Sequence, residues 1–494
     1  MSLAAILLLP LLAAGLSAVP RARSIAPAIT IVSSAAVLLL TSMIALRIAG
    51  GAGAITFRGA LSVDSLSALI IWLVSVVATA AAVYSWGYMA RTSAHRPTRL
   101  RLYYANYNLF MFAMLAIPMV VEPTLVWIFV ELTTLTSALL VSFENTREAL
   151  EAAWKYVALS LMGAAIALLG FLVLFSALQA AGGESYTWGG LIQAAPRMPP
   201  VLLKAAFVLL VVGLGTKVGL VPLHTWLPDA HSQAPSPVCA LLSGIETTSV
   251  LYVILRLLPV LDAAPLPAVR DYLVIFGLIS TGVAAFLLLQ VRDYKRLFAF
   301  STVEHMGIIL VAAGFATQAA HYGAMYQILS HAVTKSFCFF AAGAAVLTVT
   351  TREIASVQGL VRLSPATGAS LLLGGLAIAG APPLALFVSE FLILKAGLSE
   401  GRYVVVGLLS LFIVIAFFGV LLHINRMVFG RPQPHSAEVS SAESHLAATV
   451  IADPLPQTCG LILLLAGAPV IVLGVYLPGP LHELLQLAAA TLER

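Results

Sequence analysis

Nine titratable side chains lie in stretches of the chain that are otherwise apolar: Glu131, Lys155, Lys217, Glu246, His305, His331, Lys335, Glu390 and Lys395. Lys217 stands inside 200-PVLLKAAFVLLVVGLGTKVGLVP, a helix-length apolar run. A lone ammonium at membrane depth costs roughly 2.5–3.5 kcal/mol on insertion scales. A chain keeps such a lysine when it is paired or when it moves charge. Carboxylates, amines and imidazoles change protonation when burial or a neighbouring charge changes. A string of them through apolar sequence points to ion translocation, foremost of protons.

Each group has a chemical reading and a plainer one. Glu131, in TLVWIFVELTTLTSALLVSF, falls near the middle of a spanning helix and needs a partner; the sequence predicts Lys217. Closed, that pair keeps both groups charged. Opened, desolvation favours the neutral amine and a proton leaves. The plainer reading is a fixed ion pair. Lys155, in EAAWKYVALSLMG, is a relay between them or a chain that snorkels to the interface. In HAVTKSF, His331 and Lys335 are four apart on one helix face, with Gln327 a turn earlier. They form a proton relay or a hydrogen-bonded seam. His305, in STVEHMG, joins the path, while Glu304 beside it is expected to point elsewhere. Glu390 follows a second helix break and reads as a terminal proton site, with Lys395 five residues on. Glu246, in LLSGIETTSVLY, is a relay member or a histidine partner.

His224 and His231 flank the break in PLHTWLPDAH, but not at the i, i+3 or i+4 spacing of helical metal ligands. His224 is read as a proton-uptake residue or a brace, and Asp229 as a cap or a loop neutraliser. Cys239, Cys338 and Cys459 are far apart, so no cofactor or metal site is expected in this chain. Phosphate-binding, nucleophile-elbow and zinc signatures are absent. Any redox chemistry must belong to a partner.

The elements that position these groups follow from composition. Of 494 residues, 61% are hydrophobic and only 10% charged, with mean hydropathy +1.01. Soluble domains carry about 25% charged residues. The chain therefore reads as an all-α polytopic membrane protein in a lipid bilayer. Its net charge of +5 is a loop bias and not a nucleic-acid signal. MSLAAILLLPLLAAGLSAV lacks a basic leader, so it reads as a first spanning helix and not a cleaved signal.

Apolar runs of about 20 residues predict fourteen spans: 2–19, 27–48, 63–89, 104–121, 123–143, 152–181, 201–223, 236–259, 271–290, 297–316, 322–349, 366–398, 403–425 and 457–477. Pro222 to Pro228 and the Gly380-Ala381-Pro382-Pro383 run break two of them, since proline removes a backbone donor. Such breaks are tolerated at depth only beside protein or water. Two halves, each with a broken helix, suggest inverted five-helix repeats over 104–259 and 271–425. They stand between three N-terminal helices (1–103) and a cytoplasmic loop (426–456) with a last helix and short tail (457–494). Basic loops follow odd-numbered helices, Lys295 among their residues, which places both termini outside the cytoplasm of a prokaryotic inner membrane.

At PLHTWLPDAHSQAPSPV, with G-T-K-V-G-L before it, the chain resembles the antiporter-like membrane subunits of complex I, multisubunit cation/proton antiporters and membrane-bound hydrogenases. The resemblance covers nearly the whole chain. STVEHMG, TREIASVQGL and GGLAIAGAPPLALFVSEFLILKAG are most similar to hydrogenase-4 component F. That resemblance implies a fourteen-helix fold with two inverted repeats. It implies that Glu131, Lys217 and Glu390 act as family glutamate, pumping lysine and terminal site. It also implies antiporter-like neighbours and a peripheral redox arm whose partner subunits hold iron–sulfur clusters and a nickel–iron centre. Two features depart from the pattern. Thr248 stands where many relatives carry a lysine, and GPLHELLQLAAATLER is too short to be a lateral helix. The function expected is proton translocation within a redox-driven complex. The alternatives are a subunit of a multisubunit sodium/proton antiporter with no redox arm, and a non-conducting membrane anchor; carboxylates and histidines bind sodium as well as protons.

Overall fold

The computed structural model describes residues 3–20, 24–93, 96–264, 266, 269–431 and 454–493. The described chain is built almost wholly of helices. They are α1 (Leu3–Ala18), α2 (Ala26–Ala49), α3 (Ser65–Ser93), α4 (Pro97–Ala116), α5 (Pro123–Val141), α6 (Arg147–Ala180), α7 (Trp188–Ala194), α8 (Pro200–Val218) and α9 (Trp226–Gln233). Then come α10 (Ser236–Ala263), α11 (Val269–Leu288), α12 (Tyr294–Gly314) and α13 (Gln318–Val349). They are followed by α14 (Pro365–Ile378), α15 (Ala385–Ser399), α16 (Tyr403–Phe429), α17 (Gln457–Val475) and α18 (Gly479–Ala490). Proline opens α4, α5, α8 and α14, where its missing donor is free anyway. Thr146, Asp293 and Thr317 cap α6, α12 and α13 through side-chain oxygens.

Among the described residues, eleven helices are long and apolar enough to cross a bilayer. The chain is a multi-pass membrane protein. Two further helices, α1 and α14, are apolar but short. The predicted span 104–121 belongs to α4, which begins at Pro97 and takes in Arg99 and Arg101. Burial grades the bundle: α10, α12 and α13 are its interior, while α16 and α17 expose most of their length. Glu246, His305, His331 and Lys335 sit on those interior helices.

Both predicted breaks are present. After α8, Gly219 takes φ +88° and the chain turns before α9 begins. After α14, Gly380 takes φ +74° and α15 begins at Ala385. Positive φ is open to glycine and strained for other residues.

Some expectations change. Lys295 is not a loop charge. It is buried at 2% exposure, with Nζ 2.5 Å from the Ala234 carbonyl and 3.3 Å from that of Ser232. Its alkyl stem threads inward because those carbonyls, in the last turn and at the C-cap of α9, lack helical partners. The tail forms α18, which folds back over its own bundle. Ser65 Oγ donates to the Leu487 carbonyl at 2.9 Å, and Tyr322 bonds His482 Nδ1 at 2.7 Å. A small hairpin, Ile55–Phe57 with Leu61–Val63, was hidden by its brevity. Arg21, Arg23 and most of the 426–456 loop lie outside the described residues.

Asp64 precedes α3 and fixes one end of the bundle. It accepts from Ser67 N at 2.9 Å and pairs with Arg256 of α10 at 2.5 Å. Burial pushes its carboxyl up, but the Arg256 guanidinium outweighs this and holds it below the ordinary value of 3.8. A depressed carboxyl lends stability that is complete above that value and lost as pH falls through the folded one. Stability is therefore expected to be insensitive to Asp64 near neutrality and to fall below about pH 4. Asp64→Asn should be less stable at pH 7 and decline less below pH 4. Thermal unfolding in detergent checks this, and parallel acid profiles for the two proteins would refute it.

Candidate functional site

The first cluster is made where α6 and α8 touch. A Cβ on Gly163 would lie 2.5 Å from Thr216 Cβ, and one on Gly213 2.4 Å from Ala167 N. Small residues allow such close backbone approach in membranes. The crossing brings Tyr156 of α6 to Lys217 in the last turn of α8.

Lys217 is 3% exposed and has an acceptor for each of its three protons. These are Thr134 Oγ1 at 2.9 Å, the Tyr156 hydroxyl, and Glu246 Oε1 at 2.9 Å. Its ammonium also lies 4.6 Å from the Tyr156 ring centroid. Glu246 is fully buried. Its Oε1 is 3.1 Å from Tyr156 Oη and 3.4 Å from Ser137 Oγ, while Oε2 is buried without a hydrogen-bond partner. The direct partner of Lys217 is thus Glu246 and not Glu131. Glu131 is half-buried and forms no hydrogen bond or ion pair among the described residues, though it lies within electrostatic reach of Lys217. Thr134, one turn beyond it, makes the contact that Glu131 does not.

Glu246 is aimed by a π-helical turn, Leu242–Glu246, inside α10. Such a turn inserts one residue and rotates the helix beyond it, often at functional sites. The same turn faces the second cluster. The Ser243 carbonyl accepts from His331 Nε2 at 3.0 Å and from Thr247 Oγ1 at 3.1 Å. One short turn therefore presents a carboxylate to Lys217 and a carbonyl to His331.

Beyond it, α12, α13 and α15 hold the remaining groups. Lys335 donates to the Phe298 carbonyl and to Ser301 Oγ, both on α12. The rings of His331 and His305 meet edge to face at 5.5 Å. His305 Nε2 faces the Ile378 carbonyl at 3.2 Å, so that nitrogen carries the proton. Nδ1 then accepts from Gln327 Nε2 at 3.0 Å, and Gln327 Oε1 accepts from Ser389 Oγ at 2.5 Å. Glu390, next to Ser389, reaches to 3.7 Å from His305 Nδ1. Its other oxygen fills the space beside Gly380: a Cβ there would be 2.5 Å from Glu390 Oε2.

The structure does not gather every predicted residue. Lys155 is on the surface, its side chain 45% exposed, paired with Glu151 at 2.8 Å and Asp229 at 3.3 Å. Asp229 also pairs with Arg296 at 2.7 Å. Lys395 is exposed, on a different face of α15 from Glu390. His224 sits at the first break near Phe300, and its Nδ1 has no partner. His231 Nδ1 donates to the Leu227 carbonyl, 2.7 Å away, and the ring packs against Phe339, bracing α9. Among the described residues, no group of three or more His, Cys, Asp or Glu side chains is arranged to hold a metal ion.

Several participants were missed. Glu304 does not point away: it is 4% exposed and within electrostatic reach of Lys335 and Glu390. It lies one turn after Ser301, which touches Lys335, a contact that only the packing of α12 on α13 makes visible. Tyr156, Ser137 and Thr134 looked like ordinary helix residues and gave none.

A family model described as the transmembrane region of NADH:quinone oxidoreductase and Mrp antiporter matches residues 122–416. A second, for the N-terminus of complex I chain 5, matches 51–97. The hydrogenase-4 component F homolog of Methylacidiphilum infernorum (isolate V4) is 36% identical over 387 residues, 77% of this chain and 81% of that one. Hydrogenase-4 component B of Escherichia coli (strain K12) is 32% identical over 349 residues, 67% of this chain and 50% of its own. A chain of the archaeal membrane-bound sulfane sulfur reductase superposes with TM-score 0.86 at 22% identity, covering 99% of this chain and 97% of that one. A chain of the Mrp complex from Dietzia sp. DQ12-45-1b does so with TM-score 0.85 at 19% identity, covering 100% and 98%. The two solved structures share the fold.

Proposed function

Because the chain belongs to the family of antiporter-like membrane subunits found in NADH:quinone oxidoreductases and Mrp antiporters, we propose that it translocates protons as a membrane subunit of a redox-driven, hydrogenase-4-type complex. The observation that carries this is the buried Lys217–Glu246 pair, joined by one π turn to His331. A buried ion pair is weak as a source of stability, since desolvation opposes the attraction. A pair held by the same π turn whose Ser243 carbonyl meets the next titratable group has another use.

Protons pass between Glu131, Lys217 and Glu246, then through His331, Lys335 and His305 to Glu390. Lys155 and His224 serve uptake, beside the exposed Asp229 cluster and the first break. Lys395 faces outward and is left to a partner or the lipid boundary. We read the chain as fourteen spans, with inverted repeats over 104–259 and 271–425 around the two breaks. The basic residues Arg91, Arg96, Arg147, Arg292, Arg352 and Arg426 favour both termini outside the cytoplasm of a prokaryotic inner membrane. Electron transfer belongs to partner subunits carrying iron–sulfur and nickel–iron centres, in keeping with the names of the relatives.

The test is to purify the chain from its native membrane in mild detergent, identify the subunits that accompany it by mass spectrometry, and assay nickel and iron. Nickel, iron and a hydrogenase-like large subunit are expected. Iron without nickel, beside quinone- or NADH-reacting subunits, would move the reading to a complex I relative. Small apolar partners and no metal would replace it with a cation/proton antiporter.

A further inference from the structure

The Tyr156 hydroxyl meets both members of the buried pair. It accepts from Lys217 Nζ and stands 3.1 Å from Glu246 Oε1 and 2.7 Å from Ser137 Oγ. A phenol has one proton and must choose among these neighbours. Ser137 spends its own proton on the Thr133 carbonyl at 2.6 Å, so toward Tyr156 it is an acceptor. While Lys217 is an ammonium, it offers no lone pair, and the Tyr156 proton points to Ser137 or Glu246. Once Lys217 is an amine, its lone pair becomes a third seat. The direction of one O–H bond therefore follows the charge on Lys217.

The ring is held so that only this bond turns. It packs on Trp226 with centroids 4.4 Å apart and the rings tilted by 37°, and Trp226 Nε1 donates to the Thr216 carbonyl at 2.8 Å, next to Lys217. Tyr156 is fully buried. Nothing in this arrangement resembles a solvated surface tyrosine.

We propose that Tyr156 is a proton-transfer residue between Lys217 and Glu246, a role that rests on the reading of Lys217 as a proton carrier. In the step, a Lys217 N–H bond breaks as a bond forms to Tyr156 Oη. The original Tyr156 O–H bond breaks as one forms to Glu246 Oε1. The products are a neutral amine, a neutral carboxylic acid and an unchanged tyrosine, so charge and protons balance with no further reactant. Transfer through the hydroxyl leaves both end groups in place, and the direct contact at 2.9 Å holds them in register.

The test uses the whole complex in native-membrane vesicles, with proton flux driven by a potassium–valinomycin potential and followed with a pH-sensitive dye. Tyr156→Phe keeps the ring and its packing on Trp226. Flux is expected to fall on the order of a hundredfold, the scale of losing one proton-transfer group. A flux within twofold of wild type overturns the proposal. Replacing Tyr156 by 3,5-difluorotyrosine keeps the hydroxyl but makes it more acidic, and the pH profile of flux should move to lower pH. An unmoved profile means that Tyr156 only packs and overturns the proposal, and this arm decides if Tyr156→Phe fails to assemble. Lys217→Ala is the reference. If it conducts as wild type, the parent reading fails; if it is silent while Tyr156→Phe conducts normally, only the role of Tyr156 fails.

Discussion

Lys217→Ala is expected to abolish proton translocation and to destabilise the protein by about 3–5 kcal/mol, the scale of breaking a buried pair from one side. The reason is local. Glu246 is fully buried, and one of its oxygens already lacks a partner. Without Lys217, the other keeps only the neutral Tyr156 hydroxyl as a donor. A double variant separates the two effects. Lys217→Met with Glu246→Leu removes both charges and fills similar volume, so it should recover most of the stability. It should recover none of the transport, because the carrier and its acceptor are both gone. Thermal unfolding and dye-monitored flux, measured on the same vesicles, give the two readouts. Transport by the double variant would sink the assignment of Lys217 and Glu246 as proton carriers.

Gly380→Ala should damage the far end of the path for two independent reasons. The residue has φ +74°, where a side chain costs on the order of 1–3 kcal/mol. The new Cβ would also lie 2.5 Å from Glu390 Oε2, so the carboxylate must leave its seat. Glu390 then moves relative to His305 Nδ1, from which it is now 3.7 Å. We expect flux to drop as far as in Glu390→Gln, with a fall in melting temperature that Glu390→Gln does not show. Gly401→Ala is the control: it also has positive φ, at +73°, but a Cβ there meets nothing within 4 Å. If Gly401→Ala and Gly380→Ala impair transport equally, the loss comes from backbone strain and not from Glu390.

Much of the fold was legible because a bilayer imposes strong rules on sequence. Apolar length sets a helix, proline and glycine mark the two breaks, and an ionisable residue in an apolar run marks a candidate site. Lys217, Glu246, His305, His331, Lys335 and Glu390 were found this way, and all are buried. The same rule overstated the depth of Lys155 and Lys395. Both lie in apolar sequence, but their helix faces look outward. Periodicity within one helix says which residues share a face, not which way that face turns in the bundle.

The sequence by itself determined that this is a multi-pass helical membrane protein with titratable groups at depth and two broken helices. Those are properties of local composition, and the apolar solvent enforces them segment by segment. Tertiary structure alone decided the partnerships. Lys217 meets Glu246 because a π turn adds a residue to α10 and because glycines let α6 and α8 close together. Tyr156 meets both for the same reason, and Glu304 is turned inward by the packing of α12 against its neighbours. A hydrogen bond is fixed by tenths of an ångström and by direction. Neither is set until several helices have packed, and no spacing along one chain segment records them.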